Sequence, residues 1–305
     1  MKQWLKTNRR SLLRWGGTIL SLILLAALFY INREDLLAAL RRGVTPANLL
    51  IAAGFIFLSR LTTVARWYTL LRSGGVKISL KDTASLTFTG LFASNFLPTT
   101  VGGDVVRLAG AMQMGYDRAV CLASIATDRL VNMAGMSLAA PLGLYQLFMA
   151  GPLQSLVLAG LWQKGWDFVR RTLASLTIWI KQPLVLLQAL MFALGNLLFV
   201  AGAYYFLIQG MGEHLPYWKV VGLVSMGYFI GLMPISINGY GWHEYSVTIL
   251  FSNIGGVSVA VCAIVVLILR ILMMLASLPG AATLPGVMAK MDRSEVQRIE
   301  DREPN

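Results

Sequence analysis

Six charges lie in or beside apolar segments of this sequence: Asp104, Arg107, Asp128, Arg129, Glu244 and Arg270. A charge at the centre of a membrane-spanning helix costs on the order of 2.5–3.5 kcal/mol even on lenient scales, so such residues pair with one another or line a polar cavity. Two glycine-bearing segments accompany them. The first is Asn95-Phe-Leu-Pro-Thr-Thr-Val-Gly-Gly-Asp-Val-Val-Arg107, and the second is Pro234-Ile-Ser-Ile-Asn-Gly-Tyr-Gly-Trp-His-Glu244. Gly102 and Gly103 allow close approach of backbone to a ligand, and a helix starting there presents free amides that favour an anion. Arg107, joined by Arg60 or Arg66, would add a forked donor suited to phosphate. Asn238, Gly239 and Gly241 could do similar work in the second segment, with His243 and Glu244 adding polarity, a proton site or a partner for a cationic headgroup. The bland alternative is simple pairing of Asp104 with Arg107 at helical spacing, and of Asp128 with Arg129 or a neighbouring helix.

The elements that must carry these residues are transmembrane. Of 305 residues, 56% are hydrophobic and 13% charged, against roughly 25% charged in soluble domains. Mean hydropathy is +0.65. The expected fold class is all-α: a polytopic integral-membrane helical bundle with two broken, re-entrant helix pairs. One bundle is expected over 1–290, with halves of about 1–150 and 151–290, followed by a polar cytoplasmic tail over 291–305. The net charge of +12 fits cytoplasmic loops facing anionic lipid. No RNA-binding or zinc-finger signature is present, so nucleic acid is not an expected partner. Cys121 and Cys262 lie in apolar segments as packing residues. No metal and no cofactor are expected, and a P-loop, a nucleotide fingerprint and a nucleophile elbow are all missing from the sequence.

Along the chain, Lys2, Lys6, Arg9, Arg10 and Arg14 precede an apolar run from Leu12 to Ile31, read as a first span with its N-terminus inside. Asn32 to Pro46 reads as an interfacial helix. Asn48 to Leu71 reads as a second span. Asp82 to Pro98 is short and broken by Pro98, Gly102 and Gly103. Ala119 to Met149 is a long span. Leu153 to Trp162 reads as a return, and Lys164 to Lys181 as a basic interfacial piece. Pro183 to Gln209 spans again, Trp218 to Met233 is short and broken at Pro234, a short helix runs to Phe251, and Val257 to Leu278 closes the bundle. Paired interrupted helices in two halves point to a transport site between inverted repeats, with chance similarity as the alternative. Gly227 and Gly231 read as a helix-packing pair. Trp15, Trp67, Trp179 and Trp218 read as interface belts.

Four stretches carry a family likeness: Arg66-Trp67, the Asn95 to Arg107 segment, Asp128-Arg129-Leu130, and the Pro234 to Glu244 segment. Together they resemble the lysylphosphatidylglycerol synthase transmembrane-region family, similar to the flippase half of multiple-peptide-resistance-factor proteins. Members usually show Gly-Gly-x-Gly-x-x-Glu in the second segment. Here Asn238 replaces the first glycine, and His243 stands where Arg is common. In the fused proteins the aminoacyl transferase is a separate soluble domain, and the stretch after Lys290 is too short for one. The charge pattern and span count put both termini on the cytoplasmic side, and the resemblance implies translocation of an anionic phospholipid or a polyprenyl-phosphate-linked lipid across a bacterial inner membrane, without enzymatic chemistry. Under it, the binding residues are Arg60, Arg66, Asn95, Gly102, Gly103, Asp104, Arg107, Asp128, Arg129, Asn238, Gly239, Gly241, His243 and Glu244. The alternatives are an intramembrane lipid-modifying enzyme and a non-transporting assembly partner. A homo-oligomer or an envelope-pathway enzyme stands as the protein partner left open.

Overall fold

The computed structural model describes residues 19–20, 23–97, 102–150, 182–232, 236 and 239–284. The basic N-terminal residues, Pro98, the return and basic piece over Leu153 to Lys181, Pro234, Asn238 and the polar tail fall outside the described residues. Among those described, every regular element is helical. They are α1 (Arg33–Arg42), α2 (Pro46–Ser73), α3 (Leu80–Ser94), α4 (Gly102–Gln113), α5 (Arg118–Ala150), α6 (Pro183–Gly210), α7 (Tyr217–Gly231), α8 (Trp242–Asn253) and α9 (Val259–Ser277), with a 3₁₀ turn at Leu278–Ala281.

Local chemistry explains the boundaries. Pro46 and Pro183 start α2 and α6, where a missing N–H costs nothing. Ser79 caps α3 by accepting from the amide of Asp82 at 3.0 Å, and Ser258 caps α9. Pro141 lies inside α5, where a membrane setting and neighbouring helices tolerate it. The segment expected as an interfacial helix holds α1, joined to the preceding helical residues by a turn at Asn32. Residues 23–31 are helical, and at the turn Asn32 N–H donates to Leu28 O at 3.1 Å while Leu36 N–H donates to Asn32 O at 2.9 Å.

Three of the described helices, α2, α6 and the stretch from α9 into the 3₁₀ turn, are long and apolar enough to cross a membrane. Their outward residues are large and apolar: Leu50 is 74% exposed and Leu184 73%. Charge is turned inward, with Arg66 and Asp128 each 4% exposed. An apolar exterior over a partly polar interior is the arrangement a bilayer solvent selects. The protein is a multi-pass membrane protein.

The chain repeats a four-helix pattern. A 28-residue helix, a 15-residue helix and a 12-residue helix precede a long one, first in α2–α5 and again in α6–α9. The packing repeats too. α2 meets α3 and α5 as α6 meets α7 and α9, α3 meets α4 as α7 meets α8, and α5 meets α6 as α9 meets α2. The most extensive packing joins α2 to α6. Thr45 donates to Gly210 O at one end of that pair, and Gln182 donates to Ser73 O at the other. The two helices are therefore antiparallel neighbours along their length.

Small residues bring the backbones together, as membrane bundles require. A Cβ on Gly222 of α7 would lie 2.6 Å from Gly143 N of α5, and one on Gly202 of α6 would lie 2.8 Å from Phe55 of α2. Gly54 faces open space. Gly222→Val is expected to destabilise by about 1–3 kcal/mol or more through overpacking, while Gly54→Ala is tolerated. Thermal midpoints in detergent check this, and equal midpoints for the two variants would refute the close-packing account.

Candidate functional site

Two polar centres occupy the interior. The first ties α2, α4 and α5 together. Asp128 Oδ1 accepts from Arg66 Nε at 2.6 Å, and its Oδ2 accepts from Arg107 Nη1 and Nη2 at 3.4 and 3.5 Å. Arg66 Nη1 also donates to Asn132 Oδ1 at 2.6 Å, so Asp128 and Asn132, one turn apart on α5, grip one guanidinium from both sides. Asp104 accepts from Arg107 Nη1 at 3.1 Å and from Arg129 Nε. Three arginines thus share two carboxylates; Arg66, Arg107 and Asp128 are buried, where the low dielectric strengthens each bond and makes a lost partner costly, while Arg129 lies at the exposed edge.

The break between α3 and α4 places Arg107. Gly90 of α3 faces the arginine stem, and a Cβ there would lie 2.6 Å from Arg107 Cγ and 2.7 Å from Gly103 O. Gly103 packs equally hard on the Gly90 carbonyl and Ser94 Oγ. The glycines expected to admit a ligand face the chain itself: Gly103 lets the two short helices cross backbone to backbone, and Gly102 lies against the Leu97 side chain. Beneath the guanidinium, at 4.0 Å from its carbon, lies the Trp67 ring, whose Nε1–H donates to Ser124 Oγ at 3.1 Å. The interface-belt reading of Trp67 is corrected here. The residue is fully buried and serves as a cation–π platform, whereas Trp218, 43% exposed, suits a belt; Trp15 and Trp179 lie outside the described residues. Asp128 and Arg129 do not pair with each other. Adjacent helix positions point apart, and each finds its partner on another helix.

The second centre lies where the two broken elements meet. Tyr240 Oη donates to Asn95 O at 2.7 Å, joining the turn before α8 to the end of α3. Asn95 Nδ2 donates to Ser277 Oγ at 2.9 Å. Arg270 of α9 stacks 4.3 Å from the Tyr240 ring centre, and its Nη1 bonds Glu244 Oε1 at 3.2 Å. Glu244 Oε2 accepts from Gly241 N–H at 2.8 Å, which closes the first turn of α8. The preceding turn takes Gly239 and Gly241 at φ +75° and +77°, a left-handed backbone that glycine adopts without a Cβ clash. His243 is half-buried and lies opposite Gly231, whose Cβ would come within 3.1 Å of His243 Nδ1. Gly227 similarly faces Val247, so both glycines of the pair pack α7 on α8.

A cavity of about 170 Å³ opens beside this centre, lined by Arg60, Leu91, Ser94, Asn95, Arg270, Met273, Met274 and Ser277. Arg60 Nε is buried there without a hydrogen-bond partner among the described residues. Of the residues singled out from sequence, Arg60 and Asn95 line the cavity, and Glu244 reaches it through Arg270. Gly239 and Gly241 shape the adjoining turn. Arg66, Gly102, Gly103, Asp104, Arg107, Asp128 and Arg129 belong to the first centre. Asn238 falls outside the described residues. Arg270, singled out from sequence as the sole charge in α9, lines the cavity. Tyr240, Ser277, Asn132 and the platform role of Trp67 are additions from the structure, ordinary residue types whose importance comes from what they touch.

Asp128→Asn is expected to strand two buried arginines and lower stability by about 3–5 kcal/mol. Arg129→Gln, at a side chain 40% exposed, is expected to cost about 1 kcal/mol or less. Thermal midpoints and the yield of monodisperse protein in detergent read the difference, and parity between the variants would show that Asp128 is not the tie.

No curated protein shows a significant match to the chain. A family model does match, over the half that contains α2 to α5 and the first polar centre. Residues 15–165 match the family described as lysylphosphatidylglycerol synthase TM region, the family that the sequence motifs resemble.

Proposed function

We propose that this protein moves a phosphate-bearing lipid between the leaflets of a bacterial inner membrane, with both termini cytoplasmic and no bond made or broken in the cargo. The observation that carries the reading is the cavity between Arg60 and Arg270. It lies where the two broken elements touch, inside a bundle whose outer face is apolar. In this reading the headgroup passes along the polar interior while its tails stay in lipid. The family match over residues 15–165 supports a role in lipid handling.

The four-helix pattern supports an alternating-access design. An operation that superposes α2 on its antiparallel neighbour α6 must turn the helix end over end, so its axis lies across the helices. With both helices spanning the membrane, the two units would enter it in opposite senses, as inverted-repeat transporters do. Each unit would then supply one broken element, α3–α4 and α7–α8, and their Tyr240–Asn95 contact would be one that changes between inward-open and outward-open states.

The test is leaflet exchange of labelled lipids in proteoliposomes, over a panel of phospholipids and polyprenyl phosphates. Wild-type protein is expected to accelerate exchange of at least one member, and Arg270→Gln to reduce that rate by about tenfold or more, the scale of a charge-assisted hydrogen bond. Rates equal to those of protein-free vesicles across the panel would sink the reading.

A further inference from the structure

Arg60 and Arg270 face the same cavity but differ in how they are neutralised. Arg270 is paired with Glu244 at 3.2 Å and rests on the Tyr240 ring. For Arg60, no ion pair is present among the described residues, and its Nε is buried without a hydrogen-bond acceptor. Guanidinium stays protonated in proteins, so Arg60 brings a full positive charge into an apolar bundle. Arg60 is half-buried, and a charge held in an apolar bundle without a partner is unfavourable. The centre formed by Arg60, Arg270 and Glu244 therefore lacks one negative charge.

The neutral hydroxyls at the cavity are already engaged. Ser277 Oγ accepts from Asn95 and donates to Met274 O at 2.7 Å. Ser94 Oγ donates to Gly90 O at 2.8 Å. The Asn95 amide keeps a second N–H, and the charged donors are on the arginine forks, which suit the oxygens of phosphate. A volume of about 170 Å³ equals roughly six waters of liquid. That is room for a phosphate group, while a larger headgroup must extend outside. Met273 and Met274 on the cavity wall suit the apolar carbons next to such a group.

We propose that the Arg60–Arg270 cavity binds a phosphate carrying one negative charge, the phosphodiester of a lipid headgroup. One charge neutralises the centre. A phosphomonoester dianion or a diphosphate would leave negative charge uncompensated, and a headgroup without phosphate would leave Arg60 unpaired. Glu244 thereby acts as the selectivity element: by neutralising Arg270, it sets the cavity to accept a monoanion. The lipid source rests on the transport reading; the anion chemistry does not.

The experiment is native mass spectrometry of the full chain released from detergent, with four probes at pH 8: phosphatidylglycerol, phosphatidic acid, farnesyl diphosphate and inorganic phosphate. At that pH a phosphomonoester carries nearly two charges. Wild-type protein is expected to retain phosphatidylglycerol in preference to the others, and Arg60→Gln to lower that retention by about tenfold or more. Glu244→Gln keeps an oxygen for the Gly241 amide but removes a charge, and is expected to shift preference toward phosphatidic acid. That gain is something a misfolded variant would not show. Unchanged retention in Arg60→Gln, or wild-type preference for a doubly charged probe, overturns the proposal. Inorganic phosphate retained as well as phosphatidylglycerol, and displacing it, overturns the lipid source. Arg60-dependent retention without leaflet exchange would refute transport alone, and exchange that ignores Arg60 would refute this site alone.

Discussion

The carboxylate of Asp128 holds two cations from different helices at once, and the geometry of the first four-helix unit depends on that arrangement. Arg66 arrives from α2 and Arg107 from α4, while Asp128 itself is on α5. No pair of these helices can slide without stretching a buried, charge-assisted bond. The desolvation cost of such a layer is high, and hydrophobic residues of similar volume would often stabilise as well or better. What the ionic layer adds is a defined register. Apolar helices in lipid gain little from one alignment over another, since hydrocarbon surrounds them either way. A carboxylate that must meet two guanidinium groups accepts far fewer arrangements.

The two polar centres divide the work between rigidity and binding. In the first, the guanidinium groups of Arg66 and Arg107 are spent on Asp104, Asp128 and Asn132 and on the Trp67 ring. Arg107 Nε and Arg60 Nε are both buried without a hydrogen-bond partner, but Arg107 is ion-paired, whereas in the second centre Arg60 has no carboxylate partner among the described residues. Both Arg60 and Arg66 belong to α2, six residues or about 9 Å of rise apart. One helix thus carries an arginine locked into the scaffold and another facing the cavity, so the scaffold layer fixes the position of the cavity wall.

Much of the fold was legible because the bilayer imposes a coarse rule. Apolar runs, interrupted by Pro and Gly, predicted α2, α3, α5, α6, α7 and α9 to within a few residues. The residues that matter were also legible as a set, since charge in an apolar segment is rarely idle. Their division into two centres was not. Gly103 illustrates the reason: close approach to a ligand and close approach to another helix require the same missing Cβ, and only the position of Gly90 reveals which one applies. Trp67 was misread for a similar cause, because a tryptophan near a helix end suits a headgroup belt until the arginine stacked above it is seen. The pairing of Asp128 with residues 62 and 21 positions away leaves no local trace in the sequence.

The α2–α6 seam also has a consequence for biosynthesis. Thr45 and its acceptor Gly210 are 165 residues apart, so at about 5–20 residues per second α2 emerges roughly ten to thirty seconds before the end of its main neighbour. Asp128 follows Arg66 by only 62 residues. The charge of Arg66 is therefore neutralised well before the long apolar face of α2 is covered. During that interval the face bearing Phe55 is occupied by lipid or by the insertion machinery, and arrival of α6 completes the seam by displacing it. The early ion pairs hold the first unit in register while it waits for the second.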